Sequence, residues 1–287
     1  MKFGMGMLLW ADDVAEESWL PLFGRLKGMG YDFVEVPVFR AEPARFRRLS
    51  ARLRELGLEA TAITALSAEQ DLIGESPAVR RAGLDQLRAV TDCARELGSP
   101  LVCGPIYQAL GVFSGLPPTA VERGRAIEGL RAAAEHAAQA GVTLALEPLN
   151  RFEAHLVNGA ADAAALVREI GRPEVRMTYD TFHAHIEEKD PAAAIRACAD
   201  VLAHVQVSEC DRSTPGAGQV NWAANFSALK ACGYSGRLAV EAFGQKLPAL
   251  AAATRIWRRM FKDEETLAAE GLAFVRKEWE RAGRVKP

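Results

Sequence analysis

Short apolar runs alternate with longer amphipathic segments about eight times along the 287-residue chain. Near-continuous apolar strands between long helices are typical of a parallel sheet covered by helices on its outer face. Eight such units of roughly 36 residues each predict closure into a (β/α)8 TIM barrel. The predicted strands are Phe3–Trp10, Phe33–Phe39, Ala60–Leu66, Pro100–Ile106, Val142–Leu149, Val175–Asp180, Leu202–Val207 and Arg237–Phe243.

The amphipathic segments predict a helix after each strand, and several end at a glycine suited to a left-handed C-cap. The predicted helices are Glu17–Met29, Pro43–Leu56, Ala78–Leu97, Ala120–Ala140, Gly159–Ile170, Pro191–Ala199, Asn225–Cys232 and Glu264–Ala282. The terminating glycines are Gly57, Gly98, Gly141, Gly171, Gly233 and Gly283. The connection Phe243–Asp263 is long enough for a wall or lid.

No linker or low-complexity stretch divides the chain, which predicts a single domain over residues 1–287. A doubly wound sheet that binds a dinucleotide would need a glycine-rich turn after the first strand. The residues there read MGMLLWADD and do not supply one. The barrel is therefore the preferred fold.

Composition and charge narrow the possible partners. A formal net charge of -2 gives no electrostatic footprint for nucleic acid. No run approaches the roughly 20 apolar residues of a membrane span, and no signal peptide is expected at the N-terminus. The five cysteines are odd in number and lack a CxxC spacing, which favours reduced thiols and a cytoplasmic location.

Oxygen-bearing side chains stand near the carboxyl ends of four consecutive predicted strands, the face that carries function in TIM barrels. They are Glu147, Asp180, Gln206 and Glu241. Three buried acids would repel one another, and a divalent cation removes that cost. Carboxylates with an amide oxygen suit Mg²⁺ or Mn²⁺ better than Zn²⁺. His204, two residues before Gln206, is expected one layer deeper in the barrel.

Several motifs resemble the sugar isomerase/epimerase superfamily of xylose isomerase-like barrels. They are EPLNRFE, YDTFHAHIEEKD, SECDR followed by PGAGQVNW, and VEAF. The chain is most similar to the D-tagatose 3-epimerase and D-allulose (psicose) 3-epimerase group. The resemblance implies Glu147, Asp180, Gln206 and Glu241 as metal ligands, with Mn²⁺ preferred over Mg²⁺ or Co²⁺. It also implies that Glu153, His183 and Arg212 hold the ketose, and that the protein forms a dimer or tetramer.

Gln206 departs from this group, which normally has a histidine at that position in an HxH pattern. Here the strand reads His204-Val205-Gln206, and glutamine at this point resembles the related hydroxypyruvate isomerases. An amide oxygen can still coordinate a metal, and it favours a harder cation than imidazole does. Arg212 and His183 favour the epimerase group.

The expected activity is therefore epimerisation of a free ketose at C3, with D-tagatose, D-fructose/D-allulose or L-ribulose as substrates of the right type. Epimerisation needs a base on one face of the carbon and an acid on the other, and Glu147 and Glu241 are assigned as this catalytic pair. The alternative is an aldose–ketose or hydroxypyruvate-type isomerase on the same metal site. A sugar-binding protein without activity is a further alternative, whereas only five histidines and the charge of -2 speak against a multi-metal nuclease.

Overall fold

Eight parallel strands close into a barrel in the computed structural model, which describes residues 1–283. The strands pair in the order β1 to β8, and β8 pairs with β1 to close the ring. They span Lys2–Gly6 (β1), Phe33–Pro37 (β2), Glu59–Ile63 (β3), Leu101–Gly104 (β4), Thr143–Leu146 (β5), Val175–Asp180 (β6), Leu202–Val207 (β7) and Arg237–Val240 (β8). The predicted TIM-barrel fold is confirmed. Residues 284–287 of the predicted domain lie outside the described part of the chain.

Helices surround the barrel, and each of the eight predicted helices is present. They are Leu20–Met29 (α1), Pro43–Glu55 (α2), Pro77–Leu97 (α3), Ala120–Ala140 (α4), Ala160–Ile170 (α5), Thr181–Glu187 (α6), Pro191–Cys198 (α7), Trp222–Ala231 (α8), Pro248–Ala253 (α9) and Glu264–Ala282 (α10). Helix α8 begins at Trp222, three residues before the predicted start, because Asn221 caps it by accepting from the backbone N–H of Ala224.

Two helices were not predicted. Helix α6 follows β6 without a loop, since the side chain of Asp180 accepts from the backbone N–H of Phe182 and so acts as its N-cap. Helix α9 lies inside the long connection Phe243–Asp263. The sequence pattern missed both because each has fewer than eight residues, too few for a clear helical period.

Five of the six predicted glycine caps have the left-handed backbone, with φ between 66° and 76°. Gly283 is the exception, with φ of -80°, so helix α10 ends without that turn. The predicted bounds of β6 and β7 are confirmed, whereas the other six predicted strands run too long at their carboxyl ends. In β1, for example, a 3₁₀ turn over Met7–Leu9 replaces the end of the predicted strand.

Strand register places the predicted site residues side by side. Asp180 pairs with Gln206 between β6 and β7. Gln206 in turn pairs with Ala239 between β7 and β8, two residues before Glu241. Because the strands are parallel, their carboxyl ends meet at one rim of the barrel. Polar side chains also lie deeper inside the barrel, among them Glu35, Thr61 and His204, all fully buried.

Candidate active site

The structure brings the side chains of the four predicted metal ligands to the carboxyl rim of the barrel. Glu147 and Glu241 directly follow β5 and β8, Asp180 ends β6, and Gln206 is next to last in β7. Each side chain is nearly or fully buried; Glu147 and Glu241, the most exposed of the four, are 3% exposed. Three carboxyl groups and one amide therefore share one buried compartment.

Glu147 is held in place by the neighbouring strand end. Its backbone N–H donates to the carbonyl oxygen of Gly104, at 3.0 Å. Gly104 has φ of +119°, and a β-carbon there would lie 2.0 Å from the carbonyl oxygen of Thr64. Only glycine fits this close approach of β4 to the segment after β3, so Gly104 is required for the backbone that supports Glu147.

Arg212 lies among the carboxylates. Its Nη1 is 2.9 Å from Asp180 Oδ2 and also donates to Glu241. The guanidinium stacks on Phe182, with Cζ 3.9 Å from the ring centroid. Arg212 itself has φ of +64°, an uncommon backbone for a residue with a β-carbon. The loop after β7 is thus shaped so that this positive charge reaches the acids.

Burial and the neighbouring charges shift the pKa values of the three carboxyl groups in the compartment. Burial raises the pKa of Glu241 well above its ordinary value, and although Arg212 opposes this, Asp180 adds to it. Burial also raises the pKa of Glu147, opposed by the contact with His183. Burial alone would raise the pKa of Asp180, but the charge of Arg212 lowers it instead. Of the three carboxyl groups, the two glutamates are thus the ones whose protonated form the compartment favours.

The predicted ketose-holding residues form one network, but through a residue that the sequence analysis missed. His183 Nε2 lies 3.3 Å from Glu147 Oε1 and 2.9 Å from Arg212 Nη2. Within residues 1–283, no hydrogen bond joins Glu153 directly to Arg212 or His183. Asn150 connects Glu153 to His183 instead, since its Nδ2 lies 2.8 Å from Glu153 Oε1 and 2.9 Å from His183 Nδ1.

Asn150 also orients the ring of His183. Its backbone N–H, which can only donate, lies 2.9 Å from His183 Nδ1. Nδ1 must therefore accept. The other ring nitrogen, Nε2, lies between the guanidinium of Arg212, which can only donate, and the carboxyl group of Glu147. The only sequence signal for Asn150 was its place within EPLNRFE, between Glu147 and Glu153.

The donor set fits a divalent cation. Glu147, Asp180 and His183 each offer a ligand atom, and these atoms lie within 4.8 Å of one another. The carbonyl oxygen of Gln206 is buried and has no hydrogen-bond partner among residues 1–283, although buried acceptors are normally satisfied. An unpartnered oxygen beside acidic side chains is a suitable ligand for a hard metal ion.

A second cluster of buried polar side chains, around Glu35, lies one layer deeper in the barrel. His204 belongs to it, at the depth expected from the sequence. His204 Nε2 is 2.7 Å from Glu35 Oε2, and Cys103 Sγ is 3.2 Å from the same oxygen. These contacts are hydrogen bonds that already satisfy the carboxylate. Burial alone would raise the pKa of Glu35, but the charge and hydrogen bond of His204 lower it below its ordinary value. Glu35 is the second residue that the sequence analysis missed.

Comparison with known proteins identifies the family of this chain. A family model described as Xylose isomerase-like TIM barrel matches residues 23–278. The chain belongs to this family. A ketose 3-epimerase from Arthrobacter globiformis is 32% identical over 96% of this chain and 96% of its own.

Solved structures agree as well. A structure of an L-ribulose 3-epimerase is 32% identical and superimposes with a TM-score of 0.93, with both chains covered completely. A D-allulose 3-epimerase from Methylomonas sp., solved in complex with D-allulose, is 30% identical with a TM-score of 0.89, over 97% of each chain. The family predicted from the sequence motifs is confirmed. Among residues 1–283, no helix is long and apolar enough to cross a membrane.

Proposed function

We propose that this protein is a metal-dependent ketose 3-epimerase that acts on free ketoses of the L-ribulose, D-tagatose or D-fructose/D-allulose type. The observation that carries the proposal is the convergence of Glu147, Asp180 and Glu241 with the oxygen of Gln206, which has no partner in residues 1–283, at the barrel rim. The relatives that are named ketose 3-epimerases cover nearly the whole chain.

Glu147, Asp180, Gln206 and Glu241 would hold the metal, and their oxygen donors suit hard cations such as Mg²⁺ and Mn²⁺. Mn²⁺ is preferred over Mg²⁺ or Co²⁺, as the family resemblance implies. A bound divalent cation would supply the positive charge that makes the hydrogen beside the ketone acidic enough for a carboxylate to remove. The guanidinium of Arg212 provides hydrogen-bond donors for the sugar oxygens near the ketone, and the imidazole of His183 lies beside it. Glu153, held by Asn150, provides an acceptor for a sugar hydroxyl.

Glu147 and Glu241 are the proposed acid/base pair. They follow β5 and β8, so two strands lie between them and they approach the compartment from different sides. One carboxylate would take the proton from C3, and the other, protonated, would return a proton to the opposite face. Burial raises the pKa of both groups, which favours a protonated carboxyl in one of them. Which of the two acts as base depends on the configuration of the substrate at C3.

A labelling experiment tests this function. The protein is treated with chelator, supplied with Mn²⁺ or Mg²⁺, and incubated in D₂O with D-fructose, D-tagatose or L-ribulose. Metal-dependent deuterium at C3 and a C3 epimer are expected. Deuterium at C1 or an aldose product would instead identify an isomerase, and binding without any label would identify a sugar-binding protein.

We also propose that the protein is a homodimer or homotetramer, as the family resemblance implies, and that it resides in the cytoplasm. The five cysteines are all free, which supports a reducing compartment. Light scattering on the purified protein measures the oligomeric state.

A further inference from the structure

Glu35 is a carboxylate that the proposed reaction does not use, although it lies inside the barrel beneath the site. Its side chain is wholly buried on β2. Its Oε2 receives three contacts from donors: His204 Nε2 at 2.7 Å, Thr61 Oγ1 at 3.1 Å and Cys103 Sγ at 3.2 Å. Its other oxygen, Oε1, is 3.0 Å from Nε2 of Gln206. Glu35 is therefore anchored on one side and contacts a proposed metal ligand on the other.

The amide group of Gln206 lies between two carboxylates. Its Nε2 is 3.0 Å from Glu35 Oε1 and 3.0 Å from Glu241 Oε1. An ionised carboxylate only accepts hydrogen bonds, so the NH₂ end of the amide must face both. The carbonyl oxygen is then directed elsewhere, and within the described part of the chain it is buried without a hydrogen-bond partner.

We infer that Glu35 is a positioning residue that fixes the side-chain amide of Gln206 so that its oxygen, and not its NH₂ group, is presented to the metal. The inference rests on the proposed metal site. A glutamine can present either end of its amide, and only the oxygen end has lone pairs available for a metal. A chain with glutamine at this position therefore needs a contact that sets the orientation of the amide. Hydrogen bonds from neighbouring residues commonly orient metal ligands in this way.

Glu35 is the better placed of the two carboxylates for this task. Glu241 is itself a proposed metal ligand and also accepts from Arg212. Glu35 lies outside the reacting compartment, and its three donors keep Oε2 occupied. Of the two carboxylates that contact the Gln206 amide, Glu35 is thus the one that is held in place by its own partners.

The variant Glu35→Gln tests the inference because it should reverse the amide. Three donors face one oxygen of residue 35, so the single oxygen of the new glutamine would remain there and its NH₂ group would face Gln206. Gln206 would then offer its oxygen to residue 35 and its NH₂ group to the metal. We expect the affinity for Mn²⁺, measured by titration calorimetry on the chelator-treated protein, to fall by roughly 10-fold or more.

Two controls separate positioning from general damage. Thr61→Val removes another contact of Glu35 without touching Gln206 and should change Mn²⁺ affinity less than about 3-fold. In a Gln206→Ala background there is no amide to orient, so Glu35→Gln should have little further effect on affinity. Thermal unfolding checks that each variant is folded. Should Glu35→Gln not fold, Glu35→Asp keeps the charge beside His204 but withdraws the carboxylate from Gln206, and it should weaken Mn²⁺ binding in the same way.

The outcomes are distinguishable. If the unmodified protein binds no Mn²⁺, both the metal site and this inference are wrong. If it binds Mn²⁺ and Glu35→Gln binds equally well, only the inference is wrong. An equal loss of affinity with and without Gln206 would also overturn it, because Glu35 would then act through its charge or through the fold.

Discussion

The guanidinium of Arg212 lies directly against Asp180, with 2.9 Å between Nη1 and Oδ2. The same nitrogen donates to Glu241. Arg212 thus offsets part of the negative charge that the barrel collects at its rim. Glu147 lies in the same compartment, and three carboxyl groups exceed what one guanidinium neutralises. A divalent cation would balance the two negative charges that remain.

Mn²⁺ should therefore stabilise the protein against heat. At a concentration 100 times the dissociation constant, binding to the folded state adds about 2.7 kcal/mol. For a chain of this size, that corresponds to a rise in Tm of roughly 5 °C or more. Calorimetry of the chelator-treated protein with and without Mn²⁺ measures the shift.

Asp180→Asn is the matched variant for that experiment. Asparagine can still cap helix α6 through its side-chain oxygen, so the fold should persist while a charged ligand is lost. We expect most of the Mn²⁺-dependent rise in Tm to disappear. A full rise in this variant would show that the metal binds elsewhere.

Glu241→Gln should abolish turnover while leaving the protein folded. The substitution keeps the size of the side chain but removes the proton-carrying group, and positioned acid/base groups contribute roughly 10²- to 10⁴-fold to rate. The rate of C3 epimerisation and of deuterium exchange should both fall by at least about 100-fold. Glu265→Gln, on the exposed start of α10, is the control. Near-normal activity of Glu241→Gln would refute the assignment of this residue.

The sequence was sufficient to predict the barrel and the side chains at its carboxyl rim, for a physical reason. Parallel strands end at one rim, so a strand boundary is enough to place Asp180 next to Gln206. The same reasoning does not reveal contacts between layers inside the barrel. Glu35 stands in the run FVEVPV, where an acid among apolar neighbours was a usable signal, but its partners come from β3, β4 and β7.

Asn150 escaped prediction for a different reason. Its role depends on the direction of a backbone N–H in the turn after β5, which no spacing of residue types encodes. The position of Arg212 among the carboxylates likewise depends on its left-handed backbone. A sequence pattern can nominate such residues, but the local chain path decides what they contact.

The loop that carries Arg212 should depend on ionised Glu209. The Glu209 carboxylate accepts from the backbone N–H groups of Gly216 at 2.8 Å, Cys210 at 3.0 Å and Val220 at 3.1 Å. Glutamine at this position would turn an NH₂ group toward these donors. We expect Glu209→Gln to destabilise the protein by about 1–3 kcal/mol at pH 7, measured by urea unfolding.

The pH dependence of that difference gives a stricter test. Burial alone would raise the pKa of Glu209, but the backbone donors lower it below its ordinary value. A lowered pKa stabilises the folded state above the unfolded value, near 4.3, and the contribution is lost as pH falls through the folded pKa. The difference in free energy of unfolding between the unmodified protein and Glu209→Gln should therefore become smaller below about pH 5. A gap that is constant with pH would contradict this role.

The cysteines should separate into two reactivity classes. Burial raises the pKa of Cys93 and of Cys198 to about 12, and it raises the pKa of Cys103 well above its ordinary value. Because the thiolate is the reactive form, these three should resist a thiol reagent at pH 8. Only the partly exposed Cys210 and Cys232 should react in the native protein, and all five in denaturant. Rapid reaction of more than two thiols in the folded protein would contradict the burial of Cys93, Cys103 and Cys198.

Gln206→His should change which metal the site prefers. The substitution restores the residue that the sequence resemblance assigns to ketose 3-epimerases, replacing an amide oxygen with an imidazole nitrogen. Nitrogen ligands favour Co²⁺ over the harder Mg²⁺ and Mn²⁺, so the ratio of Co²⁺ to Mn²⁺ affinity should rise, by roughly 10-fold. Competition titrations on the chelator-treated proteins measure this ratio. Gln206→Glu, which keeps an oxygen donor, should leave the preference on the side of Mn²⁺, and an unchanged ratio in Gln206→His would mean that residue 206 does not ligate the metal.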